Sequence, residues 1–131
     1  MVYAAADPNA KEAGSDPEIA VFNALLRLGK KPFVDFEFQT SLFGGRISKG
    51  GRVVDFQMID PPDLALNVQG VYFHYEKGSA IRQSDIRTRA FMASQGITLI
   101  FLDEDDVLED AVYYVREALQ YRDHSRLGAG A

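Results

Sequence analysis

The segment at residues 97–102 limits the folds open to this chain more than any other. It is an unbroken apolar run that ends in acidic residues, which is typical of a strand buried in the centre of a sheet. Helical patterns stand on both sides of it. Ser84 is predicted to cap a helix that runs to Gln95 and ends at Gly96, and the acids at 103–106 begin another helix, where their charge suits the helix dipole. A buried strand between two helices predicts an α/β fold.

The first and last helices can be placed from their apolar spacing. Ser15 is predicted to cap the first helix, with Glu18 completing a capping box and Gly29 ending the helix. Its apolar face is formed by Ile19, Phe22, Leu25 and Leu26. The last helix is predicted to bury a stripe made of Val107, Leu108, Ala111, Val112, Val115 and Leu119.

Three strands are predicted between the first two helices. Residues 33–40 alternate between apolar and polar, as in a half-buried strand, and residues 52–58 form the second strand after a glycine-rich loop at 41–51. The third strand follows a turn at 60–63. It is predicted to place Leu64, Leu66 and Val68 on one face and Ala65, Asn67 and Gln69 on the other. The predicted architecture is a mixed sheet flanked by helices, in the order α-β-β-β-α-β-α.

Length and composition indicate one globular domain. The chain has 131 residues, of which 47% are apolar and 25% charged, as in an average soluble protein. We assign the domain to residues 15–122, with flexible tails at 1–14 and 123–131.

The absence of cysteine excludes thiol catalysis and thiolate-bound zinc. No apolar run approaches the ~20 residues of a membrane span, and the first residues lack the features of a signal peptide, so we expect a cytoplasmic protein.

The net charge of −5 is unevenly distributed. Residues 1–100 carry 11 basic and 11 acidic side chains, whereas residues 101–131 carry 3 basic and 8 acidic ones. A protein that held nucleic acid by overall charge would be basic. Any nucleic-acid role must therefore depend on a local basic patch.

Short polar motifs recur at the ends of the predicted elements. They are Val53-Val54-Asp55-Phe56, Asn67-Val68-Gln69-Gly70, His74, Asp85-Ile86-Arg87-Thr88-Arg89 and Gln95-Gly96-Ile97. Together with the element order, they resemble the PD-(D/E)XK nuclease superfamily. The resemblance is to the compact branch that is related to the very-short-patch mismatch-repair endonucleases, and it extends over residues 15–119. It implies a restriction-endonuclease-like fold.

The resemblance also assigns roles to particular residues. Members of this family cleave phosphodiesters with Mg²⁺, which needs carboxylate ligands and activates a water. Asp55 matches the first metal-binding acid, while Asn67 stands at the second metal position and Gln69 at the lysine position. Glu18 matches an acid of the first helix, and His74 matches a general base. The resemblance thus implies catalytic positions at these five residues, clustered around one point, and metal positions at Asp55 and Asn67.

Each of these residues also has a structural interpretation. Asp55 could be an ordinary acid at a strand end, and Asn67 and Gln69 could be hydrogen-bonding partners across strands. Glu18 is fully explained as part of a helix cap, and His74 as a partly buried neighbour of aromatic residues. One carboxylate and one amide make a poor magnesium site.

Basic residues in the glycine-rich loop and around the second helix could line a groove for a nucleic-acid backbone. They are Arg46, Lys49, Arg52, Lys77, Arg82, Arg87 and Arg89. The alternative is a solvated helix face on which Asp85 pairs with Arg89 four residues later.

The function predicted from these features is that of a nuclease-fold domain with a degenerate metal site. Such a domain would act as a nucleic-acid-associated binding or structural module in a larger assembly, for example of a phage or mobile element. One alternative is an active Mg²⁺-dependent DNA endonuclease, and only this alternative requires Mg²⁺ as a cofactor. Another is a regulatory domain that binds a partner through the acidic helix at 103–122. The expected partners are DNA and other protein chains but no membrane, and a phage protein would lie in the virion instead of the cytoplasm.

Overall fold

The protein is described from a computed structural model, which covers residues 16–38, 47–49, 52–70 and 79–127, with side chains at 16–38, 54–70 and 83–127. Nine elements follow one another in these ranges. They are α1 (Asp16–Arg27), β1 (Phe36–Phe38), β2 (Ile47–Lys49), β3 (Arg52–Val54), β4 (Phe56–Met58), β5 (Leu64–Gln69), α2 (Ser79–Ser94), β6 (Thr98–Asp103) and α3 (Glu104–Leu119). None of the helices described here is long and apolar enough to cross a membrane.

The main sheet has four strands in the order β1-β4-β5-β6. β1 pairs antiparallel with β4, and β4 antiparallel with β5, whereas β5 and β6 run parallel. The sheet is therefore mixed, and its strands with the helices follow the predicted order α-β-β-β-α-β-α. The predicted fold class is confirmed.

Two apolar cores lie on the two faces of this sheet. The first joins α1 and α3 to one face, where Leu25, Phe36, Leu66 and Val115 are fully buried. The second lies under α2 and includes Ala65, Met92 and Phe101. Alternate residues of β5 and β6 contribute to opposite cores, as the strand period of two requires. The result is three layers, with helices on both sides of the sheet.

Both predicted glycine stops are present. Gly29 has φ +88° and Gly96 has φ +79°, a left-handed conformation that glycine adopts without the steric cost of a Cβ atom. Beyond α1, the Lys30 N–H donates to the Leu25 carbonyl, which completes the turn. Ser15, the predicted cap of α1, lies outside the described residues, as do the predicted tail residues 1–14 and 128–131.

The first two predicted strands are shorter than expected. Residues 33–35 form a turn before β1, in which the Lys31 N–H donates to the Asp35 carboxylate at 2.8 Å and Phe33 has φ +64°. The predicted strand at 52–58 is divided by a bend at Asp55. β3 pairs with β2 in a separate two-stranded sheet, while β4 belongs to the main sheet. β2 itself lies within the predicted glycine-rich loop.

Two helix predictions need correction. α2 begins at Ser79, so Ser84 lies inside the helix, where its carbonyl accepts a hydrogen bond from the Thr88 hydroxyl. In α3, Leu108 is 57% exposed and does not belong to the buried stripe. α3 contains a kink at Asp110 (φ −155°, ψ 78°), and Val107 before it and Val115 after it are both buried in the first core.

β6 was predicted to be central, but among the strands that the structure describes it lies at the edge of the sheet. It is nevertheless buried, because the chain after α3 returns and packs along it. The Phe101 N–H donates to the Asp123 carboxylate at 3.0 Å, and Leu127 is only 3% exposed in the second core. An apolar run is therefore compatible with an edge strand when another segment covers the edge.

Candidate functional site

The bend at Asp55 creates a pair of hydrogen bonds with β5. The Asp55 N–H donates to Asn67 Oδ1 at 2.7 Å, and the Val68 N–H donates to Asp55 Oδ2 at 2.8 Å. These two bonds connect the chain to β5 at the bend between β3 and β4, just before β4 pairs with β5. The carboxyl group of Asp55 is therefore held against the end of β5.

Glu18 meets Asp55 from the first turn of α1. The two carboxyl groups share a hydrogen bond. Burial, the charge of Glu18 and the shared hydrogen bond together raise the pKa of Asp55 to about 7, while the Val68 N–H opposes the shift. Asp55 therefore retains a proton until the pH is nearly neutral, next to the carboxyl group of Glu18.

Asp85, in α2, adds a third negative charge to this end of the sheet. Its charge contributes to the raised pKa of Asp55. The sequence places Asp85 in the Asp-Arg motif at 85–89 but does not assign it to the site. Asp85 could have been assigned to the site from its position near the start of the predicted second helix, since that helix packs on the same sheet.

Gln69 is buried near the same end of β5. By strand alternation it lies on the same face as Asn67, and it is paired in register with Asp103 of β6. Its side chain is 1% exposed, and its Oε1 has no hydrogen-bond partner among the described residues. A side chain this buried cannot reach a substrate in solvent without a rearrangement.

The structure thus brings together Glu18, Asp55 and Asn67, and it places Gln69 further along the same strand. His74, Arg46 and Lys77 lie outside the described residues, as do the side chains of Lys49, Arg52 and Arg82.

The two remaining arginines of the predicted basic groove differ in their surroundings. Arg87 is exposed on α2. Arg89 donates to the Leu127 carbonyl at 2.9 Å, and its guanidinium lies over the Phe101 ring at 5.5 Å from the centroid. Arg89 therefore has a structural role, whereas Arg87 is available to a ligand.

The donor set at Asp55 does not fit Mg²⁺ as it stands. Magnesium is usually held by one or two carboxylates with water and phosphate. Here the carboxyl groups of Glu18 and Asp55 are hydrogen-bonded to each other, and the amide oxygen of Asn67 accepts a hydrogen bond from the Asp55 N–H. Asp55 Oδ2 and Asn67 Oδ1, two of the oxygens that a metal would use, are thus engaged by backbone N–H groups.

A second acidic cluster lies where β6 meets α3, and the sequence interpretation had treated its residues only as the start of an acidic helix. The carboxylates of Asp103, Asp105 and Asp106 lie within 4.8 Å of one another. Arg126 donates to Asp103 Oδ2 and to Asp105 Oδ2, both at 2.9 Å. The hydrogen bond from Arg126 lowers the pKa of Asp105, while burial and its two acidic neighbours raise the pKa of Asp106. A guanidinium thus occupies this cluster.

Comparison of the chain with protein-family models, curated proteins and solved structures found no match. The function is therefore inferred from the chain's own residues.

Proposed function

We propose that this chain is a nuclease-fold domain with a degenerate metal site, which acts as a nucleic-acid-associated binding or structural module in a larger assembly. The observation that carries this proposal is the hydrogen bond from the Asp55 N–H to Asn67 Oδ1. At the position of the family's second metal carboxylate, this chain has an amide whose oxygen stabilises the bend in the chain.

The burial of Gln69 supports the same proposal. A catalytic lysine at this position would need to reach a phosphate and stabilise developing negative charge. Gln69 carries no charge and is 1% exposed. Neither residue of the third-strand motif is therefore equipped for phosphodiester cleavage.

The distribution of charge indicates how nucleic acid would be bound. Glu18, Asp55 and Asp85 gather at one end of the sheet, and a phosphate backbone would be repelled there without a bound cation. Contact with nucleic acid is therefore assigned to the basic residues in and around α2, of which Arg87 is the exposed one described here.

The alternative is an active Mg²⁺-dependent DNA endonuclease. The pairing of Glu18 with Asp55 favours it, because two neighbouring carboxyl groups are as many as a protein magnesium site commonly uses. In that case the ion would have to displace the proton that Asp55 retains below pH 7.

Nicking of supercoiled plasmid DNA separates the two proposals. We expect the purified wild-type chain to produce no nicking at an Mg²⁺ concentration on the order of 10 mM. This concentration is chosen to fill even a weak magnesium site. Nicking by the wild type that disappears in Asp55→Asn would establish the endonuclease instead. Nicking that persists equally in Asp55→Asn would come from a contaminating nuclease.

DNA binding is tested separately by fluorescence anisotropy with a labelled duplex. Arg87→Glu should weaken binding by about tenfold, since one reversed contact changes the free energy by ~1–2 kcal/mol. Arg116→Glu is the matched control, because Arg116 is equally exposed but lies on α3. Equal effects of the two changes would contradict the assignment of α2 to the nucleic-acid contact.

A further inference from the structure

The first half of α3 exposes an apolar side chain between acidic ones. Leu108 is 57% exposed, which is the largest exposed fraction among the large apolar side chains of the described helices. Asp105, three residues before it, and Glu109, directly after it, are also exposed. Residues separated by three or four positions lie on one side of a helix. Asp105, Leu108 and Glu109 therefore form one exposed surface, which we call the α3 face.

The α3 face carries negative charge that the chain does not neutralise. Residues 104–110 contain five acidic side chains and no basic one. Arg126 pairs with Asp105 at 2.9 Å. Glu109, in contrast, forms no ion pair with any of the residues that the structure describes. The α3 face therefore retains the uncompensated charge of Glu109 beside the exposed Leu108.

The stability of the helix explains other acids of α3 but not Leu108 and Glu109. Acids in the first turn suit the positive end of the helix dipole. At the kink, Asp110 Oδ1 accepts a hydrogen bond from the Tyr113 N–H at 3.1 Å. Glu109 follows Asp105 by four residues, and like charges at this spacing destabilise a helix. The free chain thus retains a repulsion that a cation from outside the chain would relieve.

We propose that the α3 face docks a basic segment of another protein, whose lysine or arginine side chains pair with Glu109 and whose apolar side chain covers Leu108. Charge complementarity selects this occupant. The same charge repels a phosphate backbone, and a second copy of this chain would bring the same acids together across a twofold axis. The α3 face shares no residue with the Asp55 site, so this proposal does not depend on the nucleic-acid role.

Fluorescence anisotropy with a labelled peptide of lysine and leucine provides the first test. The wild-type chain should bind this peptide saturably, and Leu108→Ala and Glu109→Lys should each weaken binding by at least about fivefold. The matched controls are Ile86→Ala on α2, where Ile86 is 37% exposed, and Glu37→Lys at an exposed position of β1. Both controls should bind like the wild type. Equal losses in a variant and its control, or no saturable binding by the wild type, would overturn the proposal.

Nuclear magnetic resonance of the isotope-labelled wild-type chain provides the second test and needs no variant. Addition of the unlabelled peptide should shift the backbone amide signals of residues 104–113 more than those of any other segment. If the largest shifts lie on another element, the peptide binds elsewhere and the proposal is wrong. Leu108→Ala should bind the labelled DNA duplex as tightly as the wild type does, so that a loss of peptide binding and a loss of DNA binding are separate results.

Discussion

At the scale of single residues, Asp55 gives the protein a distinctive pH dependence. Its pKa is raised from 3.8 to about 7 in the folded protein by burial and by Glu18. Between these values the folded state retains a proton that the unfolded state has lost, so the free energy of unfolding falls as the pH rises from about 4 to about 7. Above pH 7 the carboxyl group is ionised in both states, and this contribution becomes constant.

Asp55→Asn should remove that loss of stability. Asparagine keeps an oxygen that can accept the Val68 N–H and offers an amide N–H to Glu18, but it carries no charge. We expect Asp55→Asn to exceed the wild type in free energy of unfolding by about 4 kcal/mol at pH 8 and by little at pH 4, since each unit of the pKa shift corresponds to about 1.4 kcal/mol. Urea unfolding followed by circular dichroism at the two pH values measures this. If Asp55→Asn is less stable than the wild type at pH 8 and keeps the wild-type pH dependence, ionisation of Asp55 does not destabilise the folded protein.

The sequence predicted that Glu18, Asp55 and Asn67 lie close together, but it did not predict the contacts between them. The position of Asp55 could be predicted from the strand motif at 53–56, and that of Asn67 from the alternation of side chains along the third predicted strand. The contact between Asp55 and Glu18 could not be foreseen from the capping pattern, since it depends on how α1 packs on the sheet. The hydrogen bond from the Asp55 N–H to Asn67 depends on the bend at Asp55, which no local sequence pattern predicts.

At the scale of elements, substitutions at Gly96 measure how much a side chain in the left-handed conformation lowers the free energy of unfolding. Its φ is +79°, and a Cβ atom added there would meet no atom within 4 Å. Gly96→Ala should therefore lower the free energy of unfolding by about 1 kcal/mol through backbone strain alone. Gly96→Asn, which tolerates this conformation better, should cost about half as much. Denaturant unfolding compares them, and an Ala variant as stable as the wild type would contradict the assigned backbone conformation.

The elements that the sequence predicted well have their signals within a few residues. β5 follows its apolar alternation, and Gly29 and Gly96 end α1 and α2 as expected. The errors arose where distant residues decide. Residues 33–35 turn away because Asp35 binds the Lys31 N–H, and β6 is buried at the edge because residues 121–127 pack along it. Neither contact is visible in a local pattern.

At the scale of the whole molecule, the two cores should unfold together because β5 and β6 contribute to both. Leu25 is fully buried in the first core and Met92 in the second. Leu25→Ala and Met92→Ala should each lower the free energy of unfolding by about 2–4 kcal/mol. Each variant should still unfold in a single transition when tyrosine fluorescence and circular dichroism are compared. Separate transitions for the two signals would show that the layers are independent units.

The central claim is that the metal site is degenerate because position 67 carries an amide instead of a carboxylate. Isothermal titration with Mg²⁺ tests this most directly, on the wild type, Asn67→Glu and Asn67→Gln, with circular dichroism confirming that each is folded. Glutamine matches glutamate in length but adds no charge, so it separates the effect of charge from that of size. We predict measurable Mg²⁺ binding by Asn67→Glu alone, because affinity for this hard cation follows the number of carboxylates. Binding by the wild type as strong as that by Asn67→Glu would contradict the claim.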